Sequence, residues 1–209
     1  MSVISVPWDD DVHSPNPKWN WLNDNAPDLM YYYSINHVRF ITEKQTDWWR
    51  TPDINSTNGV VYGFEQDITP SEGFEISVEI ELAPKVQIFL FYSDQATLFL
   101  RLNETTWVKA GLEFDNDKVW AGAVVTSPYS DWSIQPKPNT NITRFTISLK
   151  NQKLIIYLND EMIREVNVFG DENSKSIEKA FVGVMGCSPK GDGAQVDFKN
   201  FTLRKGVRS

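Results

Sequence analysis

From Val38 onward the chain alternates apolar and polar residues in short runs, the signature of strands with one face against a core. The run from Phe74 to Leu82 predicts Phe74, Ile76, Val78, Ile80 and Leu82 inward, with Glu75, Ser77, Glu79 and Glu81 outward. Leu98, Leu100 and Leu102 repeat the pattern, and so do Val108, Ala110, Leu112 and Phe114. Val119 to Val125 follows the turn Asp115-Asn116-Asp117. Phe145, Ile147 and Leu149 lead into Asn151-Gln152, and Leu154, Ile156 and Leu158 into Asn159-Asp160, which are hairpin breaks. Val86 to Phe91 is a short apolar run, and Phe181 to Cys187 reads as a strand of small residues. In the last strand the inward row Val196, Phe198 changes phase to Phe201, Leu203, which predicts a β-bulge at Lys199-Asn200. Only Asn173 to Ala180 has a helical pattern. Many short strands with hairpin spacing predict an all-β jelly-roll sandwich of two antiparallel sheets.

Length and charge narrow this picture. The 209 residues suit a single sandwich domain over residues 1–209. The segment up to Pro27, rich in Pro, Asn, Asp and Trp, reads as an irregular N-terminal arm packed on that domain. A net charge of −8 with no basic run disfavours nucleic acid and anionic membrane surfaces as partners. Cys187 is the single cysteine, so no internal disulfide is expected. Met1 to Asp11 has no basic n-region, no secretion signal is expected, and the expected location is cytoplasmic. His13, His37 and Cys187 do not make a zinc set, Asp9–Asp11 and Asp115–Asp117 match no complete calcium loop, and no cofactor motif is present. No metal and no cofactor are expected.

Several constellations are candidates for chemistry. Glu75, Glu79 and Glu81 on one strand face could serve a glycosidase, but they read better as a solvated outer face. If Val108, Ala110 and Leu112 point inward, Trp107, Lys109, Gly111 and Glu113 share the opposite face. An aromatic plate, a cation, a gap and a carboxylate then line either a polar ligand cleft, where Gly111 admits close approach to the backbone, or only a Lys109–Glu113 surface pair beside a half-buried Trp107. Adjacent Trp48 and Trp49 must face opposite ways, one toward the core and one as a ligand platform. Pro128 to Ser133 reads as a loop in which Asp131 and Trp132 could hold a sugar, or in which Trp132 is a lid over the core edge. Cys187 reads as a small buried hydrophobe.

In this order, Thr46-Asp47-Trp48-Trp49, Trp107-Val108-Lys109-Ala110-Gly111-Leu112-Glu113, Ser130-Asp131-Trp132-Ser133 and Gly183-Val184-Met185-Gly186-Cys187-Ser188-Pro189 resemble the regulation-of-enolase protein family. The resemblance runs from about Trp19 to Arg204. It implies a concanavalin A-like sandwich, related to modules appended to some β-xylosidases, and a cytoplasmic protein of a family whose fungal members are linked to control of enolase levels. It supplies no catalytic residues. This chain departs from the family in having no glycine in Gln95-Ala96-Thr97-Leu98, which is expected to narrow the groove. The leading expectation is a non-catalytic regulatory or binding protein. Trp48, Trp107, Lys109, Glu113, Asp131 and Trp132 would line its site, and a carbohydrate, a metabolite or a protein of the enolase pathway would be its partner. The alternatives are a glycosidase-like enzyme using Glu113 and Asp131, and a purely structural interaction domain.

Overall fold

The computed structural model describes residues 3–11, 14–84, 93–167 and 178–208. Alternation of apolar residues folds these segments into two large antiparallel sheets, face to face. The first has eight strands. Its order is β17 (Glu161–Asn167), β16 (Lys153–Leu158), β15 (Arg144–Lys150), β10 (Phe74–Pro84), β19 (Ala194–Lys205), β6 (His37–Ile41) and β5 (Met30–Ser34). The strand β1 (Val3–Ser5) shares the edge of β19 with β6. The seven-stranded sheet runs β14 (Ser130–Pro136), β13 (Lys118–Thr126), β12 (Thr106–Asp115), β11 (Ser93–Asn103), β18 (Lys179–Cys187), β9 (Val60–Asp67) and β4 (Asn20–Trp21). Two small hairpins, β2 (Asp9–Asp11) with β3 (Ser14–Pro15) and β7 (Trp48–Arg50) with β8 (Asn55–Thr57), and a 3-10 turn at Leu22–Asp24 complete the described elements.

The inward rows meet between the sheets as their spacing predicts. Phe74, Ile76, Val78, Ile80, Leu98, Leu100, Val108, Ala110, Leu112, Phe145, Ile147, Leu154 and Ile156 all lie in one buried cluster. Leu82 and Leu102 pack against its margin. The turns follow from their residues. Asn116 and Asp117, at φ 49° and 59°, close β12 onto β13, and Asn159 and Asp160, at 49° and 69°, close β16 onto β17. Positive φ at both central residues gives a two-residue turn the twist that its flanking strands need.

The bulge in the last strand lies where the phase change puts it. The register of β10 on β19 slips between Ser77 and Glu79, and Asn200 takes φ 54°. Its side-chain amide donates to Glu79 Oε2, 3.1 Å away. Two segments differ from the sequence reading. Of Pro128 to Ser133 only Pro128 and Tyr129 lie in the connecting bend, because Ser130–Pro136 forms the edge strand β14 on β13, with Trp132 opposite Val124 and Ile134 opposite Gly122. Its Ser, Asp and Pro content resembles a loop because an edge strand is exposed and tolerates polar residues. The N-terminal arm is also more regular than its composition suggests, since β1 and β4 each extend a large sheet. Trp8 and Trp19 from this arm are buried, with ring centres 4.2 Å apart, against Tyr62 and Phe201. The run from Val86 to Phe91 lies outside the described residues, as does the expected helix up to residue 177. Lys179 and Ala180 already belong to β18.

Asn200 supplies a direct check of the bulge. A β-branched residue in the left-handed region is strained, so Asn200→Val should lower stability in urea unfolding by about 1–2 kcal/mol. Asn200→Gly, which loses only the bond to Glu79, should cost clearly less.

Candidate functional site

The strand β12 presents Trp107, Lys109, Gly111 and Glu113 on the outer face of the seven-stranded sheet, but this face is covered. Trp107 is 0% and Lys109 2% exposed. The cover is the β7–β8 hairpin. Trp48 from β7 lies 5.4 Å from Trp107 and 4.8 Å from Phe99 between ring centres, edge to face in both cases. With Val61, Met185 and Cys187 these rings form a second apolar cluster, separate from the core between the sheets. The Trp48 indole donates to Gly59 O at 2.9 Å, which ties the ring to the chain leaving the hairpin. Of the tryptophan pair, Trp48 is buried and Trp49 partly exposed. Trp48 and Trp107 are therefore packing partners of each other, not open platforms for a ligand. Gly111 does admit a close approach, but by its own sheet: a Cβ there would overlap Ala96 O on β11.

A chain of polar contacts runs beside this cluster. Lys109 Nζ donates to Asp47 Oδ1 at 2.7 Å and to Gln95 Oε1 at 2.8 Å. Gln95 Nε2 donates to Glu113 Oε1 at 3.3 Å, and Trp132 Nε1 donates to Glu113 Oε2 at 3.0 Å. The Glu113 carboxylate reaches over Gly122, where its Oε2 stands 3.2 Å from the place a Cβ would occupy. Burial raises the Glu113 carboxyl above its ordinary range, while Lys109, Trp132 and Gln95 pull it back. The Cys187 thiol is fully buried and lies 3.4 Å from Gln95 Oε1 and 3.7 Å from Asp47 Oδ1. Burial pushes it well above the ordinary thiol value, so it remains a protonated donor and not a nucleophile. A cleft of about 10 Å³ between Thr97, Gly111, Glu113 and Gly122 leaves room for one water.

The six residues singled out in the sequence thus divide. Lys109, Glu113 and Trp132 belong to one network, and Trp48 and Trp107 to the apolar cluster beside it. Asp131 belongs to neither. It lies opposite Val125, whose side chain is in the core, whereas its neighbour Trp132 lies opposite Val124. Asp131 accordingly points to the other face, where Arg164 of β17 donates to it at 2.7 Å. Glu113 and Asp131 do not flank a common cleft, which a pair of glycosidase carboxylates must do. The outer row of β10 is also not simply solvated. Glu75 is 4% exposed and accepts from the backbone and side chain of Arg208, while Glu79 and Glu81 are held by Asn200 and Lys199.

Asp47 and Gln95 went unmarked in the sequence, yet they hold the network together. Asp47 stands next to Trp48, and Gln95 lies in the stretch of β11 whose missing glycine was expected to narrow the groove. Gln95 bridges Lys109, Glu113 and Cys187.

These features define a concanavalin A-like jelly-roll sandwich whose outer sheet face is filled by its own side chains. The chain belongs to the family described as protein of unknown function (DUF1349), whose model matches residues 21–206. It is similar to Regulation of enolase protein 1 of Saccharomyces cerevisiae, 24% identical over 193 residues that cover 88% of this chain and 87% of that protein. A solved structure of a functionally unknown protein from Saccharomyces cerevisiae matches with a TM-score of 0.75 at 23% identity, over 91% of this chain and 98% of that one. The solved structure of Bacteroides ovatus Xyloglucan PUL GH43B matches with a TM-score of 0.66 at 14% identity, over 97% of this chain but only 40% of its own. The two structural likenesses establish the fold.

Two measurements test the network. Asp47→Ala strands the buried Lys109 ammonium and should lower stability in urea unfolding by about 3–5 kcal/mol. Adding Lys109→Met should recover much of that loss, because the buried charge is gone. For Glu113 the sign of the pH effect is set by its raised carboxyl. At low pH it is protonated in both folded and unfolded chains and carries no cost. As pH rises the unfolded chain ionises first, and the cost is complete once pH passes the higher folded value. Relative to Glu113→Gln, the unsubstituted protein should therefore lose stability as pH rises above the ordinary glutamate value of about 4.3, and it should be relatively more stable below that value.

Proposed function

We propose that this is a non-catalytic regulatory protein that acts by binding enolase through the exposed rim of β14. The observation that carries this reading is the closure of the outer face. Trp48, Asp47, Lys109 and Gln95 fill the space beside Trp107, and the one cleft beside Glu113 is water-sized. A sugar or metabolite has no room there without displacement of the hairpin. Beside it the edge of the sheet stays open. Tyr129 is 50%, Trp132 44% and Ile134 38% exposed, beside Ile54 of the hairpin at 53%. A sheet edge offers unpaired backbone groups to a partner strand, and half-open aromatics beside it supply anchoring area. Similarity over nearly the whole chain to a protein named for regulation of enolase supports the choice of partner.

The test is direct binding of purified enolase from the same organism to the immobilised protein. Saturable binding is expected, weakened at least about 10-fold by Trp132→Ala and by Ile134→Arg, since truncating a central anchor costs upward of 1–2 kcal/mol. Binding unchanged in both variants would move the contact elsewhere. No binding at micromolar concentration would end the reading of direct contact.

A further inference from the structure

The eight-stranded sheet carries an aromatic cluster on its opposite, outer face. Its register puts Met30 and Tyr32 of β5 beside Phe40 and Val38, which are in the core, so Tyr31 points outward beside Arg39. Tyr33 lies in the β5 irregularity and reaches the same face, where its ring contacts two side chains of β6. The His37 ring stacks on it at 5.0 Å and 26°, and the Arg39 guanidinium carbon lies 4.6 Å from its centre. Arg39 Nη1 also donates to the Tyr33 hydroxyl at 2.7 Å. Both supports are themselves fixed, since His37 Nε2 and Arg39 Nε bind the same oxygen of the buried Asp197, at 2.6 and 2.8 Å. Gln195 Nε2 donates to the other Asp197 oxygen at 3.1 Å.

Tyr33 is thus held in place, and Tyr31 stands beside it; both rings remain open. Tyr33 is 53% and Tyr31 47% exposed, with centres 6.4 Å apart and planes inclined by 47°. Holding an apolar ring surface in water with its rotamer locked costs free energy, yet it leaves little further entropy to lose when a ligand stacks. Beside the rings the charges are matched. Arg39 and His37 face Asp197, and Lys199 faces Glu81 at 2.7 Å. The patch therefore offers donors and acceptors with little net charge. That selects a neutral polyhydroxylated ligand with a C–H face to lay on a ring. Phosphate-bearing strands meet the carboxylates of Asp197 and Glu81 on a chain of net charge −8. The inclination of the rings suits a single soluble chain of sugars, whose successive units turn, better than a flat crystalline surface.

We propose that Tyr31 and Tyr33, with Arg39, Lys199 and Glu81 at their margin, form a surface site for a neutral soluble glycan chain, on the face away from the covered groove. The site is independent of the β14 edge.

Affinity electrophoresis through gels containing xyloglucan, mixed-linkage β-glucan, galactomannan or glycogen tests it, with a proline-rich peptide in a parallel titration. Retardation by at least one glycan is expected. It should fall at least 10-fold in apparent affinity for Tyr33→Ala and for the Tyr31→Ala/Tyr33→Ala pair, and it should persist in Trp132→Ala. Circular dichroism should show all variants folded, since both tyrosines are exposed. No retardation by any of the glycans, or retardation unchanged in the tyrosine pair, overturns the proposal. Tyrosine-dependent binding of the proline-rich peptide without glycan binding overturns it in favour of a peptide site.

Discussion

The arrangement of the seven-stranded sheet's outer face depends on the Lys109 ammonium. It is a positive charge with 2% exposure on a central strand. Such a charge survives burial only with an opposite charge and hydrogen bonds around it. Asp47 supplies the charge from the segment that enters the β7–β8 hairpin, and Gln95 supplies a second acceptor from the neighbouring strand. The hairpin is thereby pinned where Trp48 covers Trp107 and Phe99. Polar and apolar parts of the cover reinforce each other. Without the ring cluster Lys109 would have water available and little need of Asp47, and without Asp47 the cluster would have to bury a bare charge.

The same network decides what Glu113 can do. A general acid needs a raised carboxyl with access to substrate, and Glu113 has the first without the second. Its two oxygens are taken by Gln95 and Trp132. The carboxylate therefore works as a fastener that draws the edge-strand indole across Gly122, and this sets how Trp132 is displayed. Trp132 links the closed interior of the face to its open rim.

The core was legible from period two alone, because each inward row needs only one buried face to stand out. Even the bulge at Asn200 could be read, since a one-residue slip moves every later apolar residue to the other parity. The outer face was legible only as a set of residues. Periodicity placed Trp107, Lys109 and Glu113 together, but it carries no information about what lies on top of them. That depends on contacts between segments far apart in sequence, such as Asp47 with Lys109 and Trp48 with Phe99. Asp131 and Trp132 were read as one loop unit for a related reason. Once the segment is a strand, adjacent residues face opposite ways, and Arg164 takes the one while Glu113 takes the other.

A sandwich fold offers ligands either a concave face or its edges and outer surfaces. The Bacteroides ovatus protein that shares the fold is more than twice as long, so the same sandwich also occurs there as one part of a larger chain. Here the face that could hold a ligand has been given over to an internal cluster, which makes it a second core and not a cleft. Burying Trp48, Trp107 and Phe99 there removes large apolar area from water and stiffens the sheet. A sheet braced on both faces presents its edge strand and its opposite surface in fixed positions. Under the proposed contact function, that rigidity would lower the entropy lost on association to the half-open aromatics that the fold leaves uncovered.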